Sequence, residues 1–344
     1  MTLISAAQQV DVVREAARSP SVHNIQPARW RFDDDDSVVL FRALDRTLPV
    51  ADPTGHDVQA SLGAAFEGLA LALSTRGFTL GTPERESRAS AQGCEAVVRA
   101  SIAANDSAPD TLAKWLLRRR SYRGKFLPST IEDIRSMAVL LADDARIIES
   151  AELPALAARH DAATWGFESQ PAYHAELWKW LRLSRTHPRY ERDGLNAECL
   201  ALSPVEAWLA NRLLVPSRFS LLSRLGVARH LVSEAPQVRS AVAALVFCPL
   251  RATTPFDVGR RMHRLWLEVT AAGLHLTPMS ALADDPVSRA ALEHQCGVGG
   301  DRRVANVFRV GRALEGAVAV SPRLPVSELL VWSAGLQRLQ VLDQ

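Results

Sequence analysis

A helix–glycine–strand unit occurs twice in this sequence, and it constrains the fold more than any other feature. In the first copy, apolar positions between residues 57 and 76 have helical spacing, Gly77 follows, and residues 78–80 predict a short strand. The second copy runs over residues 258–277, with Gly273 in the equivalent place. At one constant offset, Phe66, Leu69, Leu71, Leu73, Gly77 and Leu80 match Met262, Leu265, Leu267, Val269, Gly273 and Leu276. If this match is a true repeat, it predicts two α+β halves packed as a pseudo-dimer. The alternative is that two similar units have the same spacing by coincidence.

Composition excludes several classes of protein. The chain has 344 residues, 47% hydrophobic and 23% charged, which suits a folded protein of one large or two ordinary domains. A net charge of +2 is too small for a nucleic-acid-binding stripe. The longest apolar run, residues 241–250, is too short to cross a bilayer and no lipidation motif is present, so we expect no membrane partner. Four scattered cysteines without a C-x-x-C pair, and no signal peptide, predict a cytoplasmic protein without a zinc site.

Residues 19–27 predict a rigid polar loop after the first helix, because a proline near each end restricts the backbone. The loop carries neither a carboxylate nor a cluster of metal ligands, so it suits a neutral polar ligand. An ordinary turn after an N-terminal helix is the alternative. The candidate binding residues of the loop are Ser21, Asn24 and Gln26. We expect His23 to line the pocket rather than act as a base.

A basic cluster ends the predicted helix over residues 111–120 and is the best candidate for an anion site. Adjacent guanidinium groups, a hydroxyl and backbone N–H groups together suit a phosphate. The alternative is a solvated helix end whose arginines favour the C-terminal dipole. The candidate residues are Arg118, Arg119, Arg120, Ser121 and Arg123.

Two further segments are candidates for the same site. Pro278, Met279 and Ser280 follow the second-copy strand, although a plain strand-to-helix loop would have the same pattern. Arg323 stands between two prolines, a place where arginine is usually a surface residue.

Two other patterns are interpreted as structural. Four adjacent carboxylates, residues 33–36, predict the solvated turn of a hairpin rather than a metal site. The glycine-rich residues 297–300 follow a predicted helix and not a strand, so they suit a helix cap better than a dinucleotide site.

Taken in order, these motifs resemble those of the nitroreductase superfamily, and the tandem halves most resemble its Acg-like branch. The resemblance implies a nitroreductase-like α+β fold in which residues 1–115 and 116–344 are the two halves. Residues 187–234, rich in proline and short amphipathic pieces, would form a helical lid insertion. Because one chain of that branch mimics the usual homodimer, we expect a monomer or weak homodimer. The usual dimer has two FMN sites, but the first half has no second Arg-x-Ser motif at its start and the second half has no second Pro-Ser-x-x-Asn loop, so we expect one FMN per chain.

The resemblance also implies the contacts of the FMN. Arg118, Arg119, Ser121 and Arg323 would bind its phosphate, with Arg120 beside them, and Arg123 would lie near N1 and O2 of the ring. Ser21, Asn24 and Gln26 would contact the ribityl chain or the ring edge. Pro278, Met279 and Ser280 would lie along the ring, with a backbone N–H near N5, and no side-chain acid or base is nominated.

The implied activity is hydride transfer from NAD(P)H to a small-molecule acceptor, such as a nitro compound or quinone, in two half-reactions through FMN. The alternative is FMN storage or sequestration, with the lid blocking the flavin. A specialised FMN-dependent oxidase is a third interpretation that the sequence does not separate from the first.

Overall fold

The computed structural model describes residues 3–139 and 144–331, and it confirms the predicted α+β class. The helices are α1 Ala6–Ala16, α2 His56–Ser74, α3 Ile131–Val139, α4 Leu153–Glu168, α5 Pro171–Trp178, α6 Pro204–Leu213, α7 Pro216–Arg224, α8 Ala235–Arg239, α9 Pro255–Ala271, α10 Ala281–Asp284, α11 Pro286–Gln295 and α12 Val326–Leu329. The strands are β1 Ala28–Asp33, β2 Ser37–Ala43, β3 Phe78–Leu80, β4 Glu84–Arg85, β5 Ser90–Ala91, β6 Cys94–Ala104, β7 Ala145–Ile148, β8 Leu181–Arg182, β9 Leu195–Asn196, β10 Ala243–Phe247, β11 His275–Pro278 and β12 Asn306–Gly311.

The two larger sheets have the same antiparallel order around one long helix each. The first sheet runs β1-β2-β6-β3, with α2 between β2 and β3 in the chain, and short strands β4 and β5 also pair with β6. The second runs β7-β10-β12-β11, with α9 between β10 and β11. The helix–glycine–strand units of the sequence are α2–β3 and α9–β11. This equivalence is what two fused halves require, while the boundary near residue 115 stays a prediction.

Helices α2 and α9 cross at one glycine from each. A Cβ atom on Gly63 would lie 1.8 Å from the carbonyl oxygen of Phe256, and one on Gly259 would lie 1.8 Å from that of Ala60. Both spaces exclude any side chain, so the two backbones are in direct contact. The two contacts are reciprocal at the offset of the sequence repeat. The crossing therefore has the symmetry of an isologous dimer contact within a single chain.

The core around the second sheet lies on both of its faces. Ala244 and Val246 of β10 pack on one face, and Leu245 and Phe247 pack on the other. Alternation along a strand sends neighbouring side chains to opposite faces, so a strand covered on both sides is apolar throughout. This explains the continuous apolar run that the sequence shows at residues 241–250.

Two extended segments join the sheets outside the named strands. Leu330 pairs in parallel with Trp30 of β1, and the Val331 N–H donates to the Trp30 carbonyl at 2.7 Å. Ser121 pairs in parallel with Leu276 of β11. The predicted helix over 111–120 is wrong: only a 3-10 turn, Ala113–Trp115, forms there. The chain must extend by Ser121 to reach β11, so a helix cannot continue through the basic cluster.

A long insertion separates β7 from β10. Residues 149–242 occupy the place that a three-residue turn, 34–36, occupies between the equivalent β1 and β2. The insertion contains α4 to α8 and the small parallel pair β8–β9. The segment proposed as a lid, 187–234, is its second part. Among the helices in the described ranges, none is long and apolar enough to cross a membrane.

Candidate functional site

The loop after α1 is held in an unfavourable backbone conformation. His23, Asn24 and Gln26 have positive φ angles of 45°, 56° and 53°. Asparagine tolerates this region, but for histidine and glutamine it costs about 1 kcal/mol or more each. Such strain persists only where surrounding contacts impose it, and strained loops are frequent at ligand sites.

The side chains of Asn24 and Gln26 supply those contacts. The Asn24 amide donates to the carbonyls of Gly194 and Pro322 at 3.0 and 3.1 Å. The Gln26 amide donates to the Arg192 carbonyl at 2.9 Å, and its oxygen accepts from the Leu324 N–H at 2.8 Å. Both predicted binding side chains are therefore used to fasten the loop to the insertion and to the segment before α12. Ser21 instead stabilises the loop from within, because its Oγ accepts from the Gln26 N–H at 3.1 Å.

A cluster of arginines lies beside this loop. The guanidinium groups of Arg119 and Arg323 both donate to the carbonyl oxygen of Arg18, at 2.7 and 3.3 Å, and Arg323 also donates to the Asn24 side chain at 2.8 Å. Burial, with the charges of Arg18 and Arg120, lowers the pKa of Arg323 to about 9. Within the described ranges, no ion pair involves any of these four arginines. The arginine cluster, Arg18, Arg119, Arg120 and Arg323, is thus a concentration of uncompensated positive charge.

Arg119 is the most enclosed member of the arginine cluster. Its side chain is only 3% exposed and stacks over the Trp266 ring at 4.7 Å. Its Nε and Nη1 groups, and the Trp266 indole N–H, have no hydrogen-bond partner in the described part of the chain. Burial, then the charges of Arg323, Arg120 and Arg18, lowers the pKa of Arg119 well below its usual value. Buried donors without acceptors are costly, so this place is suited to an anion with several acceptor oxygens.

Residues 121–123 connect the arginine cluster to the loop after β11. The Tyr122 N–H donates to the Leu276 carbonyl at 3.3 Å, and the Thr277 hydroxyl donates to the Tyr122 carbonyl. Met279 is fully buried in the core, and its N–H donates to the Val307 carbonyl at 2.7 Å. The next N–H, that of half-buried Ser280, meets no acceptor among the described residues. In the predicted loop, Ser280 therefore offers a backbone N–H donor that is free among the described residues. Pro278 is half-buried, and Met279 packs in the core.

Arg123 lies between the strained loop and the insertion. Its Nη1 donates to the Cys199 carbonyl at 3.2 Å. Burial, followed by the charge of Arg123, lowers the pKa of His23 to about 4, so His23 is neutral at physiological pH. His23 is thus neutral beside the half-buried Arg123, and its role in lining the pocket stays a prediction.

Glu234 and Arg309 extend this region, and neither was predicted. The His160 Nε2 lies 3.4 Å from the Glu234 carboxylate. Burial opposes ionisation of Glu234, but His160, Arg309 and Arg123 outweigh it and lower its pKa. Arg309 is fully buried on β12, donates from Nη1 to the Gly124 carbonyl at 2.8 Å, and leaves Nε and Nη2 without partners in the described ranges. Because Arg309 stands between apolar residues of β12, the sequence did contain a signal that could have identified it.

Three carboxyl groups form an acidic group beyond Glu234. Burial, with the charge of Glu234, raises the pKa of Glu168 to about 8. Burial, with the charges of Asp284 and Asp52, raises the pKa of Asp57 to about 7. Burial also raises the pKa of Asp284 to about 6, although its side chain is accessible to solvent. Glu168 and Asp57 are half-buried, so these two carboxyl groups can exchange protons near neutral pH.

Several predicted residues lie outside the site or have another role. Arg118 is exposed and stacks over Trp115 at 5.4 Å, whereas Arg119 is buried against Trp266, so Arg118 does not join the arginine cluster. Arg120 is half-buried in the cluster, and Ser121 is half-buried where it pairs with β11. The acidic run 33–36 is a hairpin turn, as predicted, and Asp33 pairs with Arg99 at 2.6 Å.

The insertion is fastened over the strained loop by a buried ion cluster. The side chain of Asp193 is fully buried and accepts bonds from Arg46 at 2.5 Å, from Arg182 at 2.9 Å, and from Arg189. Bonds from these arginines outweigh burial and lower the pKa of Asp193 to about 2. Because Arg192 and Gly194 bind the loop directly, the ion cluster fixes the insertion where it covers residues 24–26.

Two cavities lie near the site, and neither is lined by the arginine cluster. A pocket of about 660 Å³ lies near Arg260, Arg261 and Arg264, whose side chains are already paired with acidic residues such as Glu67. A cavity of about 30 Å³ lies beneath the strained loop, between Ser21 and Ser61 among others. That volume suits one water molecule, so this cavity does not hold a ligand as large as a nucleotide.

Several proteins of Mycobacterium tuberculosis are similar to the chain in sequence. No protein-family model matches the chain. The chain is 25% identical over 341 residues to an uncharacterized protein of Mycobacterium tuberculosis, Rv3127, covering 92% of this chain and 90% of that protein. It is 33% identical over 78 residues to the putative NAD(P)H nitroreductase acg of the same species, covering 23% of each. A second putative NAD(P)H nitroreductase, Rv3131, is 39% identical over 67 residues, covering 20% of this chain and 19% of that protein. These matches confirm the resemblance to Acg-like nitroreductases that the motifs indicated.

Solved structures similar to the chain are also described as nitroreductases. An FMN- and NADPH-dependent nitroreductase, NfnB from Sphigopyxis sp. strain HMH, is 18% identical with a TM-score of 0.38, covering 65% of this chain and 99% of that one. A putative nitroreductase from Anabaena variabilis is 10% identical with a TM-score of 0.39, covering 90% of this chain and 88% of that one.

Proposed function

We propose that this chain, as a relative of the Acg-like nitroreductases, is an FMN-binding oxidoreductase whose phosphate site is the arginine cluster. The observation that carries the proposal is a set of four arginines, partly buried, with no ion-pair partner in the described ranges. A phosphate monoester has a charge of about −1.5 to −2 and three strong acceptor oxygens. It would therefore compensate the charge of the cluster and accept from the unpartnered Nε and Nη1 groups of Arg119.

The remaining residues would hold the ring and set its reactivity. When bound, FMN supplies the acceptance and release of hydride, and the protein supplies orientation and charge. Arg123 would stabilise negative charge at N1 and O2, and the Ser280 N–H would face N5. Asn24 and Gln26 would position the loop through the bonds described above, instead of touching the ligand.

The acidic group would serve the proton balance of the reaction. Hydride transfer to an acceptor such as a nitro compound or a quinone also needs protons. Glu168 and Asp57, with pKa values of about 8 and 7, can hold and deliver protons at neutral pH. The proposed electron donor is a reduced nicotinamide.

FMN storage is the second candidate function, and the fastened insertion favours it. The buried Asp193 ion cluster and the bonds to Asn24 and Gln26 hold the insertion over the loop. A cover that does not open would exclude NAD(P)H and acceptor while retaining the flavin. Covers of this kind also exclude water in active enzymes, so access of the donor separates the two functions.

The proposed architecture is two halves, residues 1–115 and 116–344, that form one FMN site in a cytoplasmic monomer or weak homodimer. The equal strand orders and the reciprocal glycine contacts support the two halves. The strained loop comes from the first half, and Arg119, Arg323 and Ser280 come from the second. We expect one FMN per chain, and a measured ratio of two would contradict this arrangement.

The test begins with the visible spectrum of the purified protein and of two variants. Arg119→Met combined with Arg323→Met should give folded protein without flavin bands, whereas the control Arg118→Met should keep full flavin occupancy. Equal occupancy in all three proteins would show that the phosphate site is wrong. Anaerobic addition of NADPH or NADH to the wild type then separates the functions. Bleaching that air or a nitro compound reverses supports the oxidoreductase, and bleaching by dithionite alone supports storage.

A further inference from the structure

The helical hairpin of α6 and α7, together with the turn after α7, exposes an unusual concentration of large apolar side chains. Of 17 such exposed residues in the described part of the chain, seven lie between positions 205 and 231. Single exposed apolar residues are common on protein surfaces, but clusters mark interaction sites. The seven are Val205, Trp208, Leu209, Leu221, Leu225, Val227 and Leu231.

In α6 the exposed residues form one continuous stripe. Val205, Trp208 and Leu209 are exposed, with Trp208 at 57%, and Arg212 follows at the next position of the same face. This spacing of three and four residues places them along one side of a helix. Ala207 is buried on the opposite side. The helix therefore already has its packed face, and the apolar stripe is additional.

The second helix has the same organisation. Arg218, Leu221 and Leu225 are exposed and follow one another at three and four residues. Phe219 supplies the packed face, because its ring stacks on that of His174 with centroids 3.6 Å apart. Both helices are thus anchored to the insertion by one side and present an apolar stripe with the other.

The charges of the hairpin are almost all positive. Residues 204–231 contain four exposed arginines and one glutamate, so this segment has a larger positive excess than the whole chain with its +2. Arg212 lies 4.9 Å above the Trp208 ring, at the edge of the apolar stripe. The arginines are Arg212, Arg218, Arg224 and Arg229, and none takes part in an ion pair within the described ranges.

We infer that the hairpin docks on an anionic lipid surface, with its apolar stripes at the boundary of headgroups and acyl chains and its arginines among the headgroups. Helices with an apolar stripe bordered by arginines bind in this way without spanning the bilayer. A second copy of the chain suits the surface less, because two facing hairpins would bring eight arginines together. The inference is independent of the proposed flavin chemistry. It departs from the sequence-based expectation of no membrane partner, which rested on the lack of a segment long enough to span.

The experiment is sedimentation of the full-length protein with vesicles of phosphatidylglycerol and phosphatidylcholine, compared with vesicles of phosphatidylcholine alone. We expect binding to the anionic vesicles only, weakened by salt. Each of Arg212→Gln, Arg218→Gln and Arg224→Gln should lower the binding constant by about fivefold, the equivalent of about 1 kcal/mol. Trp208→Ser with Leu225→Ser should lower it by about tenfold or more. The control Val287→Ser removes an even more exposed apolar side chain from α11 and should leave binding unchanged.

All these positions are exposed, so the variants should keep the melting temperature of the wild type, which is measured in parallel. Failure of the wild type to bind anionic vesicles would overturn the inference. So would binding that the hairpin variants and the α11 control weaken equally. Concentration-dependent dimerisation that Trp208→Ser with Leu225→Ser abolishes, without vesicle binding, would assign the surface to a second copy of the chain.

Discussion

Replacing Arg119 by methionine should stabilise the protein when no FMN is present and destabilise it relative to wild type when FMN is added. Methionine follows the same path against Trp266 without a charge. The change removes two buried N–H groups without partners, which cost about 1–3 kcal/mol each. It loses one charge-assisted bond, worth about 1.5–3 kcal/mol, and a stacking contact worth about 0.5–2 kcal/mol.

Two further features of the site decide the sign. The Arg18 carbonyl keeps a donor in the variant, because Arg323 also bonds to it at 3.3 Å. The repulsion of Arg119 by three neighbouring guanidinium groups disappears. We therefore expect a gain of about 1–2 kcal/mol in the free energy of unfolding of the apoprotein, within the range seen when buried ionic groups become apolar.

The assay is guanidinium chloride unfolding of flavin-free protein, with Arg118→Met as the control that should change stability by less than about 0.5 kcal/mol. Adding FMN at a hundred times its dissociation constant should stabilise the wild type and Arg118→Met by about 2.7 kcal/mol, and Arg119→Met hardly at all. The order of stabilities would then reverse. An apoprotein that loses more than about 1 kcal/mol on Arg119→Met would refute the reasoning, because it would show that the guanidinium is already satisfied.

Three other predictions concern the structure around the site. Asp193→Asn should lower the free energy of unfolding, measured in urea at pH 7, by about 3 kcal/mol. Because the pKa of Asp193 in the folded protein is lowered to about 2, the difference between wild type and variant should be present above pH 4 and vanish towards pH 2. A difference that does not change with pH would contradict this. Gly63→Ala places a methyl group 1.8 Å from the Phe256 carbonyl oxygen, so it should lower the free energy of unfolding by about 3 kcal/mol or more. The control Gly166→Ala, on the open face of α4, should raise the melting temperature. Equal effects of the two substitutions would disprove the close crossing of α2 and α9. Because burial raises the pKa of Glu168 to about 8, the stability of the wild type should fall as the pH rises from about 4.5 to 8. Glu168→Gln should remove the part of this fall that Glu168 causes. Parallel curves of melting temperature against pH for wild type and variant would count against this.

Local patterns were sufficient to predict the elements that carry the site. The hairpin around residues 33–36, the helix ending at Gly77 and the rigid loop at 19–27 depend on spacing, glycine and proline, which act over a few residues. The repeat could also be read directly, because α2 and α9 conserve the positions that pack against one another. Partnership of Arg119 with Arg323 followed from the family resemblance, and the shared Arg18 carbonyl agrees with it.

Roles that depend on distant partners could not be predicted in this way. Nothing local distinguishes Arg118, which points to solvent, from Arg119, which is buried, since the chain leaves the expected helix to pair with β11. The polar side chains of Asn24 and Gln26 have the chemistry of ligand contacts, but their partners are residues 192–194 and 322–324. Glu234 could not be predicted, because its proximity to Arg123 depends on how the insertion folds.

The pairing of residues 322–331 with the first half has a consequence for synthesis of the protein on the ribosome. The strained loop and β1 are made first, yet Asn24, Gln26 and Trp30 obtain partners from Pro322, Leu324 and residues 330–331, among the last described residues to emerge. A nascent chain can form α1 and α2, but it cannot hold this loop in its positive-φ conformation until residues 322–331 have emerged. Flavin colour would then report on these residues: chains released by a premature stop before residue 322 would leave the ribosome colourless.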